Sequence, residues 1–258
     1  MVSGVLPSPV GKRVALVGDT HANAVWTRRV IEELAAEGVD MVVQLGDFGW
    51  WPRKGFAEEV SAAAAAAGMV VCFIDGNHED HEHLRFHADL RSPGRGPTDP
   101  VEMHPRLWYL PRGCGWEWHG VRFRALGGAF SVDHGVRTPG YDLFPVEEVP
   151  SHGDAQRAID GGPADVLLSH DHPALGYRLK GLPIPEANER ASAQVRRLLG
   201  EVVKAIRPKL VVHGHWHRAY QVERDGISVT GLDCDGTDQA VAVLDLDTLQ
   251  TEEWNLPG

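Results

Sequence analysis

The sequence predicts an α/β protein built on two β-sheets, each covered by helices. Three observations predict it. Through residue 80, short apolar runs alternate with amphipathic or alanine-rich segments, the pattern of parallel β-α-β units. From residue 108 the spacing shortens and hairpin signals take over, which calls for a second sheet. Five of the apolar runs end in residues able to hold a metal ion. Ligands of open α/β sheets collect beyond such carboxyl-terminal strand ends. No solenoid-length repeat and no clear linker interrupt the 258 residues, so residues 1–258 read as one domain.

Taken in order, residues 13–17 read as the first strand. A helix over 23–37 places Trp26, Val30 and Leu34 on one face, and Gly38 ends it. The second strand, 41–45, is apolar except for Gln44, as befits a strand covered on both faces. A helix over 56–67 follows from six consecutive alanines at 62–67, and Gly68 stops it. The third strand is 70–74, with a short helix at 80–90. Residues 91–105, rich in Pro and Gly, read as loop. Segments 108–110, 116–118 and 121–123 read as short antiparallel strands, with a tight turn at His119-Gly120. Segment 125–130 reads as a further strand, and 131–150 as a long irregular loop. Then come a strand at 166–168, an irregular insert reaching Pro185, a helix at 187–206 and a strand at 210–212. Hairpins join 219–223 to 227–232 around Asp225-Gly226, and 240–244 to 251–254.

Composition narrows the function. A net charge of −11 argues against a broad nucleic-acid-binding surface. It leaves room for a small phosphate ester, because bound divalent ions reverse the local sign. Three cysteines, an odd and sparse count, fit free thiols in a reducing compartment. Residues 1–11 lack the basic start and apolar core of a signal peptide. No apolar run nears the roughly 20 residues of a membrane span. The expectation is a cytoplasmic protein with no membrane partner; the oligomeric state is open.

The chemistry gathers at strand ends: Asp19-Thr20-His21, Gly46-Asp47, Gly76-Asn77-His78-Glu79-Asp80, Ser169-His170 and Gly214-His215-Trp216-His217. One such loop alone is a polar turn; five in the same topological place need a common cause. Carboxylate, imidazole and amide oxygen suit manganese, iron, cobalt, nickel or zinc. On an extended segment, Asp-x-His turns alternate side chains to one side. Asp19 and His21 could thus share an ion, and His215-Trp216-His217 repeats the spacing. Both pairs exceed what one tetrahedral site needs, whereas two ions about 3.5–4 Å apart would use them all.

The ordered set Gly18-Asp19-Thr20-His21-Ala22-Asn23, Gly46-Asp47, Gly76-Asn77-His78-Glu79, His170 and Gly214-His215-Trp216-His217 resembles the calcineurin-like metallophosphoesterases, and small bacterial and phage members in particular. The resemblance spans roughly residues 14–217. It implies a four-layer α/β/β/α sandwich with two mixed sheets. It also implies two divalent ions, manganese first, with iron, zinc, nickel, cobalt or magnesium as alternatives. Asp19, His21 and His217 would bind the first ion. Asn77, His170 and His215 would bind the second, and Asp47 would bridge both. His78 would contact the scissile phosphate and protonate the leaving oxygen or stabilise developing charge. The ions would generate hydroxide near neutral pH and hold phosphorus in line with it. The expected partner is a small phosphate ester.

Departures matter as much. Family protein phosphatases carry Gly-Asp-x-x-Asp-Arg-Gly at the second block; here Gly46-Asp47-Phe48-Gly49-Trp50-Trp51-Pro52 has neither the second Asp nor the Arg. That favours a small phosphodiester or nucleotide substrate over a phosphomonoester, and leaves His78 without an obvious orienting carboxylate. Glu79 and Asp80 are adjacent candidates, equally readable as a surface pair. His170 is preferred to His172 as ligand because it ends its strand directly. Asn23 could orient phosphate or cap its helix. Arg137 could clamp phosphate, and Asp133 or His134 could face substrate, or the whole loop could be structural. Trp50 and Trp51 could stack on a base or simply pack. His81, His83, His87, His104, His119 and His152 read as surface or satisfied side chains. A non-catalytic module with the same fold is disfavoured, because every ligand position is filled.

Overall fold

The computed structural model describes residues 5–51, 55–176 and 184–257. Most of the insert reaching Pro185, the Pro52 end of the second loop and the first four residues therefore lie outside the described part. Three β-α units open the chain: β1 (Arg13–Val17), α1 (Ala24–Ala36), β2 (Met41–Leu45), α2 (Phe56–Ala67), β3 (Val70–Ile74) and α3 (His81–Arg91). β1, β2 and β3 pair in parallel, as the alternation predicts. Then come β4 (Val101–His104), β5 (Leu107–Tyr109), β6 (Gly115–Trp118), β7 (Val121–Leu126), α4 (His152–Asp160), β8 (Val166–Ser169), α5 (Glu186–Ile206) and β9 (Leu210–His213). Two hairpins close it: β10 (Tyr220–Arg224) with β11 (Ile227–Gly231), and β12 (Val241–Asp245) with β13 (Thr251–Trp254).

The strands form a seven-stranded sheet, ordered β13-β12-β1-β2-β3-β5-β4, and a six-stranded sheet, ordered β10-β11-β9-β8-β7-β6. Both mix parallel and antiparallel pairs. Side-chain alternation along the strands produces the layers. In β1, Ala15 and Val17 face the helical side, packing with Trp26, Val30, Val60 and Leu84. Val14 and Leu16 face the other sheet, meeting Phe123, Val166, Leu168 and Val212. In β8 and β9, Leu167 and Val211 turn outward onto Val195, Leu199 and Val202 of α5. β1, β2, β3, β8 and β9 are buried on both faces along nearly their whole length, which explains their almost unbroken apolar reading. The result is a helix–sheet–sheet–helix sandwich, the predicted four-layer architecture.

Three differences have physical causes. β4 lies inside the stretch read as loop. Its alternating burial carries a period-2 signal, but only over four residues and next to a Pro/Gly-rich segment. α4 was missed although Ser151 and Asp154 form a complete capping box at its start. Segments 121–123 and 125–130 are one strand that ends at Leu126. Gly127 and Gly128 instead allow the backbone to run against Asp75 and Glu148, where a Cβ would collide with their carbonyl oxygens.

Candidate metal centre

The parallel strands β1, β2, β3, β8 and β9 all deliver their carboxyl ends to one edge of the sandwich. The five polar loops meet there. Asp19, His21 and His217 bring ligand atoms within 4.8 Å of one another, and so do Asp47, His170 and His215. Asp47 links the groups: Oδ2 lies 3.6 Å from His21 Nε2 and Oδ1 lies 3.3 Å from His170 Nε2. His217 Nε2 is 3.0 Å from Asp19 Oδ2. Asn77 Oδ1 is 3.0 Å from His170 Nε2. All seven positions expected to hold ions therefore converge, and His78 stands beside them, its ring centre 5.7 Å from that of His21.

The route to this arrangement differs from the extended geometry expected of Asp-x-His and His-x-His. His21, Asp47, His215 and His217 all have left-handed backbones, with φ of 43°, 52°, 68° and 47°. Such conformations cost a non-glycine residue free energy and gather at functional sites. His215 and His217 consequently project into different clusters rather than onto one side. Two glycines leave the space needed: a Cβ on Gly46, itself at φ 95°, would overlap the His170 ring, and one on Gly214 would overlap Asp19 Oδ1.

Electrostatics match the donor set. At His170, burial opposes the charged form, but Asp47 and Asp19 outweigh it and lift the pKa to about 10. At His21 burial likewise loses to Asp47, giving about 9. At His217 the hydrogen bond to Asp19 leads, giving about 11. Asp47 is held well below its ordinary value, because His170 and His78 overcome its burial. Burial and the neighbouring His170 push His215 far down, so it stays neutral. Its Nε2 is buried and has no hydrogen-bond partner. A buried imidazole lone pair left unpaired among carboxylates is what a divalent cation would satisfy. The residues thus fit divalent ions.

Surrounding side chains hold the candidates in place. Asp235 Oδ1 lies 3.1 Å from His21 Nδ1, and His170 Nδ1 meets the Leu45 carbonyl at 2.7 Å. Asn77 gives its amide nitrogen to Ser131 Oγ at 3.1 Å, which turns its oxygen toward His170. Ser131 in turn donates to Glu148 at 2.8 Å. Sequence reading missed Asp235, Ser131 and Glu148. The topology accounts for Asp235: β11 runs parallel to β9, so the loop after it reaches the same edge.

The structure also places the remaining candidates, several of which were open between two roles. Asn23 caps α1 through its amide oxygen and donates its amide nitrogen to Asp235 at 2.7 Å, so both its polar atoms are engaged by protein. The Arg137 guanidinium is likewise tied down, by Ser131 and the carbonyls of Asp142 and Asn77. Glu79 does not serve His78. It is fully buried and accepts backbone N–H groups from Phe48, Gly49 and Trp50 at 2.7, 3.0 and 2.6 Å, fastening the second loop to the third. Burial, then the Asp47 charge, push its carboxyl up to about 7. Asp80 caps α3 and pairs with His83. Trp50 is core, stacked with Phe73, while Trp51 donates to the His78 carbonyl. His172 is buried beside His213 and belongs to neither ligand group. His81 is buried rather than at the surface.

Comparison with known proteins agrees with this geometry. The family model for calcineurin-like phosphoesterase matches residues 12–219. Among solved structures, TT1561 of Thermus thermophilus superposes with a TM-score of 0.61 at 17% identity, covering 96% of this chain and 100% of that one. A putative 5'-nucleotidase from Staphylococcus aureus gives 0.56 at 13% identity, over 95% of this chain and 54% of that one. These likenesses show the shared fold. No curated protein matches the chain. The family match takes in all five polar loops and four-fifths of the sequence, and on that ground the chain belongs to the calcineurin-like phosphoesterases, metal-dependent hydrolases of phosphate esters.

Proposed function

We propose that this protein is a dinuclear phosphoester hydrolase acting on a small phosphodiester or nucleotide. The observation that carries the reading is the pair of adjacent ligand clusters joined through Asp47. Asp19, His21 and His217 would hold one divalent ion, and Asn77, His170 and His215 the other, with Asp47 shared and manganese the first choice. The ions supply Lewis acidity toward water and phosphate oxygens. The chain's own residues do the rest. Asp47 accepts the His78 backbone N–H at 2.7 Å, so the carboxylate that would serve both ions also sets where His78 stands. His78, about one-third exposed at the rim, faces substrate and delivers a proton to the leaving oxygen.

Preference for a diester rests on charge. A phosphomonoester dianion carries an extra negative charge that a guanidinium fork would pair with. At the positions where the family's protein phosphatases carry their Asp and Arg, the second loop has Trp50 and Trp51, and Arg137 is committed to protein acceptors. The cysteines are free thiols and no described helix is long and apolar enough to cross a membrane, which supports a cytoplasmic setting. Turnover of bis(p-nitrophenyl) phosphate against p-nitrophenyl phosphate, with manganese, tests the reading. Faster diester hydrolysis is expected, and a clear monoester preference overturns it.

A further inference from the structure

We propose that Asp133 is the positioning carboxylate of His78. The inference rests on the reading of His78 as the proton donor. An imidazole that must donate to a leaving oxygen works best when a carboxylate takes its other nitrogen, fixing ring and tautomer and stabilising the imidazolium. The carboxylates nearest in sequence are spent elsewhere: Glu79 on four backbone N–H groups, Asp80 on the α3 cap and His83. Asp47 is taken up with the two candidate ligand groups.

Asp133 arrives from a different part of the chain. Its Oδ2 lies 3.6 Å from His78 Nε2, within ion-pair range. Its Oδ1 is buried without a hydrogen-bond partner and lies 3.8 Å from Arg137 Nη1. The loop bearing it is fastened on both flanks. Ser131 is held by Glu148 through its N–H at 3.0 Å and its hydroxyl at 2.8 Å, and receives the Asn77 amide. Arg137 reaches back to the Asn77 carbonyl at 3.2 Å. A one-turn 3-10 helix, His134–Val136, closes on the Asp133 carbonyl. The segment carrying the carboxylate is thus pinned to the segment carrying the imidazole. With Asp133 on Nε2, Nδ1 is left for the substrate. Its proton passes to the leaving oxygen as the P–O bond breaks. His78 ends neutral and recovers a proton from solvent, while Asp133 stays ionised throughout.

The test compares wild type with Asp133→Asn, Asp133→Glu and His78→Ala on aryl esters of whichever class, mono or di, wild type turns over faster. Each class pairs a good leaving group, p-nitrophenolate, with a poor one, phenolate. Metal content and thermal midpoint are measured alongside. Asp133→Asn is expected to slow the phenyl ester about tenfold more than the p-nitrophenyl ester, part of the effect of losing a general acid. Metal content should be unchanged, Asp133→Glu should restore some of the loss, and the double variant should be no slower than His78→Ala. In the metal-free protein, 15N spectra of the His78 ring should show the Nε2–H tautomer falling in Asp133→Asn, a readout independent of turnover. Equal slowing of both esters, or an unaltered tautomer, overturns the role of Asp133 and leaves the phosphoesterase reading intact. An unchanged His78→Ala removes His78 and with it Asp133, while wild-type inactivity on every ester sinks both.

Discussion

Asp235 Oδ1 lies 3.1 Å from Nδ1 of His21, and the opposite ring nitrogen faces Asp47 at 3.6 Å. A carboxylate behind a candidate ligand fixes its tautomer and raises its basicity. Asp235→Ala is therefore expected to weaken binding of one ion about 10- to 100-fold. Competition with a chelating dye measures it; unaltered affinity for both ions would show that the contact has no bearing on the site.

Gly214→Ala should act on the same cluster by space alone. The added methyl overlaps Asp19 Oδ1, the oxygen that also accepts the His215 N–H at 2.9 Å. Displacing Asp19 should remove an ion and lower stability by about 1–3 kcal/mol. Gly11→Ala, with nothing within 4 Å of its Cβ, is the control and should change neither. Full metal occupancy in Gly214→Ala by elemental analysis would count against the placement of Asp19.

Glu79 makes a stability prediction. Glu79→Ala leaves the N–H groups of Phe48, Gly49 and Trp50 buried without an acceptor, at about 1–3 kcal/mol each. A loss of about 3 kcal/mol or more is expected from urea unfolding of the metal-free protein. A loss under about 1 kcal/mol would mean that water or another acceptor reaches the loop.

The histidines give a pH dependence whose sign follows from their shifts. Folded pKa values near 9, 10 and 11 at His21, His170 and His217 stand above the unfolded 6.5. Their stabilisation of the metal-free protein is complete below about pH 6.5 and is lost as pH rises through 9 and beyond. A cation competes for the same nitrogens, so metal affinity should rise with pH from neutrality toward about 9. Binding near pH 8 should also release protons. Calorimetry in buffers of different ionisation enthalpy counts them, and a count of zero contradicts the protonated metal-free cluster.

Much of this was legible before the fold was known, for a physical reason. A strand buried on both faces must be continuously apolar, so β1, β2, β3, β8 and β9 announce themselves. The polar residues just past each are then delivered to the common edge, although Asp75, the first past β3, is taken by Arg112 and Tyr109. Asp19, Asp47, Asn77 and His170 were readable on that logic. Backbone conformation was not: nothing in the letters Asp-Thr-His reveals a left-handed His21, because the turn is imposed by packing against Phe48 and Asp47. Nor was the nearness of Asp133 to His78 readable, since Asp133 lies 55 positions away, on a loop that Glu148 fastens through Ser131. Asn23 and Arg137 went the other way. Each has the right chemistry for phosphate, yet protein acceptors claim it first.

The central claim is that one carboxylate serves two neighbouring cations, and anomalous diffraction from manganese-soaked crystals tests it most directly. Two peaks per chain are predicted, one among Asp19, His21 and His217 and one among Asn77, His170 and His215, with Asp47 touching both, and at least one peak should vanish in Asp47→Asn. An empty site in wild type, or both peaks at full strength in Asp47→Asn, would contradict it.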